Sequence, residues 1–284
     1  MTRLQLWLSA CAAFLLLFMA GLGAHFPGAA VSRYVGRQVE RGLGIPVQLA
    51  PIHLAWSGLS ADRLEVRIPG AAPLIVQDMR LPWTWRWMFE LPLEARFGSE
   101  GQIGAAWGWG GEASVSARRI RLQDLPLALL PAGVKIQGRV DVTAKVGPQP
   151  TGRAAIREML PGRIELKAEG VEIRDLELAG AVLPPLRLET VEGHVSLGRM
   201  VQVESLVFRG DAQGNLSGTI TPNLDRPGDS RLNLSLTLVL QPAWLGQLGD
   251  FKPVAEGLLP GGRLDGTIEG ALAAPALSRT AKRP

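Results

Sequence analysis

The sequence predicts a mostly β protein: an extended antiparallel sheet, preceded by a transmembrane helix and accompanied by short amphipathic helices. Three observations predict it. The first is alternation. From Gly162 the chain reads G-R-I-E-L-K-A-E-G-V-E-I-R-D-L-E-L, and Arg231 to Leu240 reads R-L-N-L-S-L-T-L-V-L. Successive side chains of a strand point to opposite faces, so a period of two gives one apolar and one polar face. The second is spacing. Runs such as Val195 and Leu197, Val201 and Val203, and Leu206 and Phe208 are separated by Gly193, Gly198 and Gly210. Strands of about five to seven residues at that spacing leave no room for the long crossovers of a parallel sheet. The third is the N-terminus, which has no Asp, Glu, Lys or Arg between Arg3 and Arg33.

Taken in order, residues 1–29 form the predicted membrane anchor. Leu4 to Phe26 is long enough, at ~1.5 Å per residue, to cross a ~30 Å hydrocarbon layer, with Leu6, Leu8, Phe14, Leu15, Leu16, Leu17, Phe18 and Leu22 as its anchoring residues. A cleaved signal peptide is the alternative, since small residues flank the run at Gly21 to Ala24 and Gly28 to Ala30. The length of the apolar span and the amphipathic helix that continues it favour the anchor. Arg3 on one side competes with Arg33, Arg37 and Arg41 on the other, and the positive-inside rule would place that richer side in the cytoplasm, so orientation is weakly specified.

Residues 30–147 hold a helix and the first part of the β body. Ala30 to Leu43 places Val31, Tyr34, Val35, Gln38, Val39 and Leu43 on one stripe, to lie on a bilayer or cap a sheet end, before Gly42 and Gly44 stop it. Val47 to Ile68 reads as strands turning at Ser57-Gly58, and Leu74 to Leu81 as another. His53 has no second ligand at metal-binding spacing and reads as structural. Trp83, Trp85 and Trp87 would share one face of a strand, or make a broad aromatic surface on a short helix opened by Pro82. They suit the end of a sheet core, or an interface. Trp107 and Trp109 read as strand residues beside a glycine turn.

Val115 to Leu122 and Val134 to Val146 continue the alternation, with a short helix or crossing loop between them, broken by Pro126 and Pro131. Residues 148–161 are proline-rich and polar, a candidate linker. Residues 162–272 form the second part of the β body. Its cleanest run puts Leu232, Leu234, Leu236 and Leu238 on one face, a candidate apolar groove. Pro242 to Leu259 reads as a short helix before a closing strand, and residues 273–284 as a flexible basic tail. G-V-K-I-Q-G-R-V-D-V, L-P-G-R-I-E-L-K-A-E-G and L-P-G-G-R-L-D-G-T-I-E-G form a loose internal echo.

Composition narrows the function classes. The 284 residues include 34 Gly and 21 Pro, which suits many tight turns and argues against a helical bundle. A net charge of +4 is spread along strands opposite Glu and Asp, as a solvated sheet face would carry it, so no nucleic-acid partner is expected. Cys11 is the single cysteine, which excludes an intramolecular disulfide and a cysteine-based metal site. With His25, His53 and His194 the only histidines and no G-x-S-x-G, G-x-G-x-x-G or H-E-x-x-H, neither enzyme chemistry, nor a cofactor, nor a metal is expected.

The anchor, the helix ending R-G-L-G-I-P-V, the strand pair H-L-A-W-S-G-L-S-A-D-R-L-E-V-R-I and the long β body together resemble the type II secretion system protein N family. The N-terminus is also similar to the wider AsmA-like group. The first resemblance implies a single-pass inner-membrane protein of a Gram-negative secretion apparatus, its β body in the periplasm, working through contacts with other type II secretion subunits. The second implies that the sheet is curled around an apolar groove that handles phospholipid. Neither implies a catalytic residue.

Overall fold

A computed structural model of the chain describes residues 26–43, 46–67, 72–125, 133–147, 161–178, 181–198, 200–223, 227–249, 252–253, 257 and 259–279. The protein is mostly β, with antiparallel strands and few helices. Among the described residues no helix is long and apolar enough to cross a membrane. The anchor predicted at 1–29 lies outside the described residues as far as position 25, and so does the linker predicted at 148–161 up to position 160. Two compact units divide the chain, Met1–Ser99 and Glu100–Pro284.

In the N-terminal unit, helix α1 (Gly28–Leu43) precedes β1 (Val47–Leu49), β2 (Ile52–Ala55), β3 (Gly58–Val66), β4 (Leu74–Pro82), a 3-10 turn (Trp85–Met88) and β5 (Glu90–Phe97). Strands β1 and β2 both pair with β3, laid end to end: Val47 stands opposite Val66, and Ile52 opposite Ala61. On the other side β3 pairs with β4, which pairs with β5. Among the described residues of this unit, Ala61, Val76, Met79, Ala95 and Phe97 are the buried apolar ones.

Helix α1 starts two residues earlier than predicted and buries a different stripe. Tyr34 and Val39 are exposed, while Gly28, Ser32 and Gly36, four residues apart, are buried with Val31 and Val35 half-buried beside them. The reason is closeness of approach. A Cβ built on Gly28 would fall 1.8 Å from the Ile52 carbonyl oxygen, so only glycine lets the helix meet the strand backbone there. Ser32 donates its hydroxyl to the Ala29 carbonyl at 3.2 Å, which satisfies a buried polar group locally.

The C-terminal unit is a meander. It runs through β6 (Gly101–Gly108), β7 (Ala113–Arg121), β8 (Lys135–Val146), β9 (Gly162–Arg174), a small hairpin of β10 (Glu177–Leu178) and β11 (Ala181–Val182), then β12 (Leu186–Leu197), β13 (Val201–Gly210), β14 (Ala212–Thr221), β15 (Arg231–Leu240), β16 (Arg263–Ala271) and β17 (Ala274–Arg279). Apart from the β10–β11 hairpin, each strand lies beside the next in the order β6-β7-β8-β9-β12-β13-β14-β15-β16-β17. Helix α2 (Pro242–Gly246) follows β15, and Pro242 sits in its first turn, where the missing N–H costs nothing.

Strand β17 corrects the expected basic tail. A-P-A-L-S-R carries little β signal of its own, but the turn at Leu272 and Ala273 returns the chain so that Ile268 stands opposite Leu277 and Gly270 opposite Pro275. Proline is tolerated there because β17 is the last strand, where a donor can be absent without breaking a ladder. Only residues 280–284 of the expected tail lie outside the described residues.

Bulges interrupt several of these pairings, two of them on the strands that flank β8. Register slips between Ala117 and Ile120 on β7, where Arg119 has φ 55° and its N–H donates to Asp141 Oδ1 at 2.6 Å. On β9 the slip falls at Gly170, φ 59°, a left-handed position that glycine adopts without strain.

Candidate functional site

Cross-strand register assembles the alternating apolar residues of the C-terminal unit into continuous rows. One row runs Ile103, Ala117, Val142, Leu166, Gly193, Leu206, Leu216, Leu236 and Gly266. The next runs Ala105, Val115, Ala144, Ile164, Val195, Val203, Gly218, Leu234 and Ile268. A pairing register that keeps every member of a row on one face is the consequence of the period-two pattern, since a slip of one residue would invert it. The result is an aliphatic face that runs from β6 to β16.

This face is covered unevenly. At β12 to β15, helix α2 and the residues after it lie on it: Trp244, Leu245 and Leu248 are buried with Ala212 and Leu240, against Leu186, Leu188, Phe208 and Leu238. Trp244 is 5% exposed, and its indole N–H donates to the Pro185 carbonyl at 3.2 Å. A second cluster, Val203, Leu232 and Leu234, packs with Leu206, Leu216, Ile268 and Leu272. Over β6 to β9 the rows stay half-buried, and Val115 is 41% exposed.

The four predicted groove leucines therefore separate. Leu232 and Leu234 are buried at 8% and 6% exposure, Leu238 lies under α2, and Leu236 is half-buried between the two clusters. The leucine ladder is mostly interior packing, and the half-buried part of the face lies on β6 to β9. The role of Trp244 and Leu248 as a cover was missed, although the spacing of Trp244, Leu245 and Leu248 after Pro242 signals a short helix with an apolar side.

The opposite face carries mutually paired charges. Glu172 accepts from Arg174 at 2.6 Å and Arg187 at 3.1 Å, Lys167 meets Glu169 at 2.8 Å, and Glu100 accepts from Arg121 and, at 3.4 Å, from Arg139. Hydrogen bonds from Arg174 and Arg187 hold the Glu172 carboxyl below its ordinary range, and Arg121 does the same to Glu100. His194 lies exposed on this face opposite Glu165 and Ser205, and His53 lies 4.0 Å from Asp62 in the N-terminal unit. Among the described residues no three His, Cys, Asp or Glu side chains group to hold a metal ion.

The tryptophan run follows the short-helix alternative and not the strand, in the form of a 3-10 turn. That turn is Trp85–Met88; Trp83, just before it, packs against Trp87 with ring centroids 4.3 Å apart and planes tilted by 40°, and their indole N–H groups donate to the Ala55 and Pro82 carbonyls. Trp85 is turned outward instead, 72% exposed, with Phe89 edge-on at 6.1 Å. Of the three predicted interface aromatics, Trp87 is half-buried and Trp83 partly exposed; Trp56, which sequence reasoning missed, joins them at 62% exposure. The eight membrane-anchor residues, Leu6 to Leu22, lie outside the described residues.

Comparison with protein-family models, curated proteins and solved structures finds no match to this chain.

Proposed function

We propose that this chain is a non-enzymatic, inner-membrane-anchored component of the type II protein secretion system, with its β body in the periplasm and acting through contacts with other secretion subunits. The observation that carries the reading is the order of elements. The family resemblance rests on an apolar N-terminal run, a helix, a strand pair and a long β body; α1, the β2–β3 hairpin and an antiparallel meander follow one another in that order. A broad sheet with a charge-paired outer face suits a scaffold that docks protein partners along its strands.

In-cell photo-crosslinking from exposed positions of the outer face, with an active periplasmic reporter fused to the C-terminus, tests the proposal. Recovery of secretion subunits is the expected result. A reporter active only in the cytoplasm, or crosslinks with no secretion subunit, overturns it.

A second reading is favoured by the half-buried aliphatic rows of β6 to β9: an AsmA-like module that holds phospholipid acyl chains along this face. Val115, Val142, Ala144, Ile164 and Leu166 offer an apolar surface without hydrogen-bonding groups, as an acyl chain requires. Mass spectrometry of the purified chain would reveal co-purified phospholipid, and its absence from both purified protein and lipid-incubated protein removes this reading.

A further inference from the structure

The N-terminal unit ends, on one side, in a cluster of exposed aromatic side chains. Trp56 occupies the tip of the β2–β3 hairpin. Trp83 is fastened to that tip: its backbone N–H donates to the Ser57 carbonyl at 3.0 Å and its indole to Ala55. The 3-10 turn then presents Trp85, Met88 and Phe89, each more than half exposed. Packing of Trp83 against Trp87 fixes this turn, so the aromatic surface is formed before anything binds it.

The path of α1 sets which end of the helix lies nearer this surface. Gly28 meets Ile52 and Gly36 approaches Val47, so the helix runs away from the hairpin tip and its first residue is at the tip end. Ile52 is four residues from Trp56, about 13 Å along a strand. The uncharged run Leu4 to Phe26 ends two residues before Gly28, at the end of the helix nearer the aromatic cluster.

We propose that Trp56, Trp83, Trp85, Met88 and Phe89 rest in the headgroup region of the bilayer that the N-terminal run enters, a second and non-covalent membrane contact. Indole and phenyl rings settle at that boundary because one end is apolar and the other tolerates water. Arg86, exposed within the same turn and 3.5 Å from Glu90, is placed to meet lipid phosphate. The contact would hold the N-terminal unit upright against the membrane rather than leave it swinging on its tether. This inference rests on the anchored reading above.

The test uses the full chain with Cys11→Ser, reconstituted in vesicles of phosphatidylethanolamine and phosphatidylglycerol, some lipids carrying a nitroxide just below the headgroup. An environment-sensitive fluorophore is attached at Trp85→Cys or, as control, at Gln202→Cys on the polar face of the C-terminal unit. Several-fold stronger quenching at position 85 than at 202, with a blue-shifted emission, is expected. A chain that resists alkaline extraction while position 85 emits as in water overturns the contact alone. Shielding of position 85 from aqueous iodide without nitroxide quenching assigns the patch to a second copy and overturns it too. A chain that washes off the vesicles removes the tether and the contact together.

Discussion

Trp244→Ala is the sharpest test of how the aliphatic face is closed at one end. A tryptophan side chain offers 150–250 Å² for burial, and Trp244 is buried at 5% exposure against Leu240, Ala212, Leu245 and Leu248. Truncation removes on the order of 150 Å² of buried apolar surface, about 4 kcal/mol at ~25 cal/mol/Å². Helix α2 has five residues and little stability of its own, so it is expected to peel from the sheet before β14 and β15 separate. Hydrogen exchange of the detergent-solubilised chain should therefore show residues 242–249 losing protection by two or more orders of magnitude, while β8 and β9 exchange as before. Trp244→Phe, which keeps most of the area, should lose about 1 kcal/mol. Unchanged exchange at 242–249 in Trp244→Ala would refute the idea that the indole holds this cover in place.

Three further outcomes are expected. If acyl chains occupy the half-buried rows of β6 to β9, Leu166→Lys, which sets a charge within those rows, should abolish phospholipid co-purification measured by native mass spectrometry. Gly28→Val forces a side chain into the Ile52 carbonyl and should lower the stability of the N-terminal unit by about 1–3 kcal/mol in urea titrations, whereas substitution at exposed Arg37 should leave it unchanged. Glu172 is held below its ordinary value in the folded chain, so its stabilising effect is present above the unfolded carboxylate value and fades as pH falls through the lowered folded one. Glu172→Gln should therefore flatten the acid limb of a thermal-melting profile and leave the slope near neutral pH unaltered.

Much of the fold was legible because a half-buried strand writes its geometry into the sequence. Arg231 to Leu240 alternates without a break, and β15 spans those residues with the leucines on the apolar rows. What escaped the reading has physical causes. Helix α1 buries Gly28, Ser32 and Gly36 because backbone contact, not apolar area, sets its distance from β2, and a hydrophobic stripe cannot reveal that. Strand β17 takes its conformation from a ladder with β16, so Ala274 to Arg279 looked like a tail. For Trp83, Trp85 and Trp87 the alternation left strand and short helix both open, and backbone bonds from Trp87 to Thr84 and from Phe89 to Arg86 wind the run into a 3-10 turn once β4 has ended at Pro82. In the candidate site the aliphatic face was visible, whereas its cover was not, since burial of Leu232 and Leu234 depends on Val203 and Leu272 from other strands and turns.

Because nearly every strand of the C-terminal unit bonds to its immediate successor, the sheet is additive. Inserting or deleting one hairpin would leave the direction of all later strands, and the side on which their aliphatic residues emerge, untouched. Evolution could thus set the reach of such a surface by counting hairpins, much as a ruler is lengthened by whole divisions, and the small β10–β11 excursion between β9 and β12 marks a place where extra chain is already accommodated without disturbing the pairing on either side.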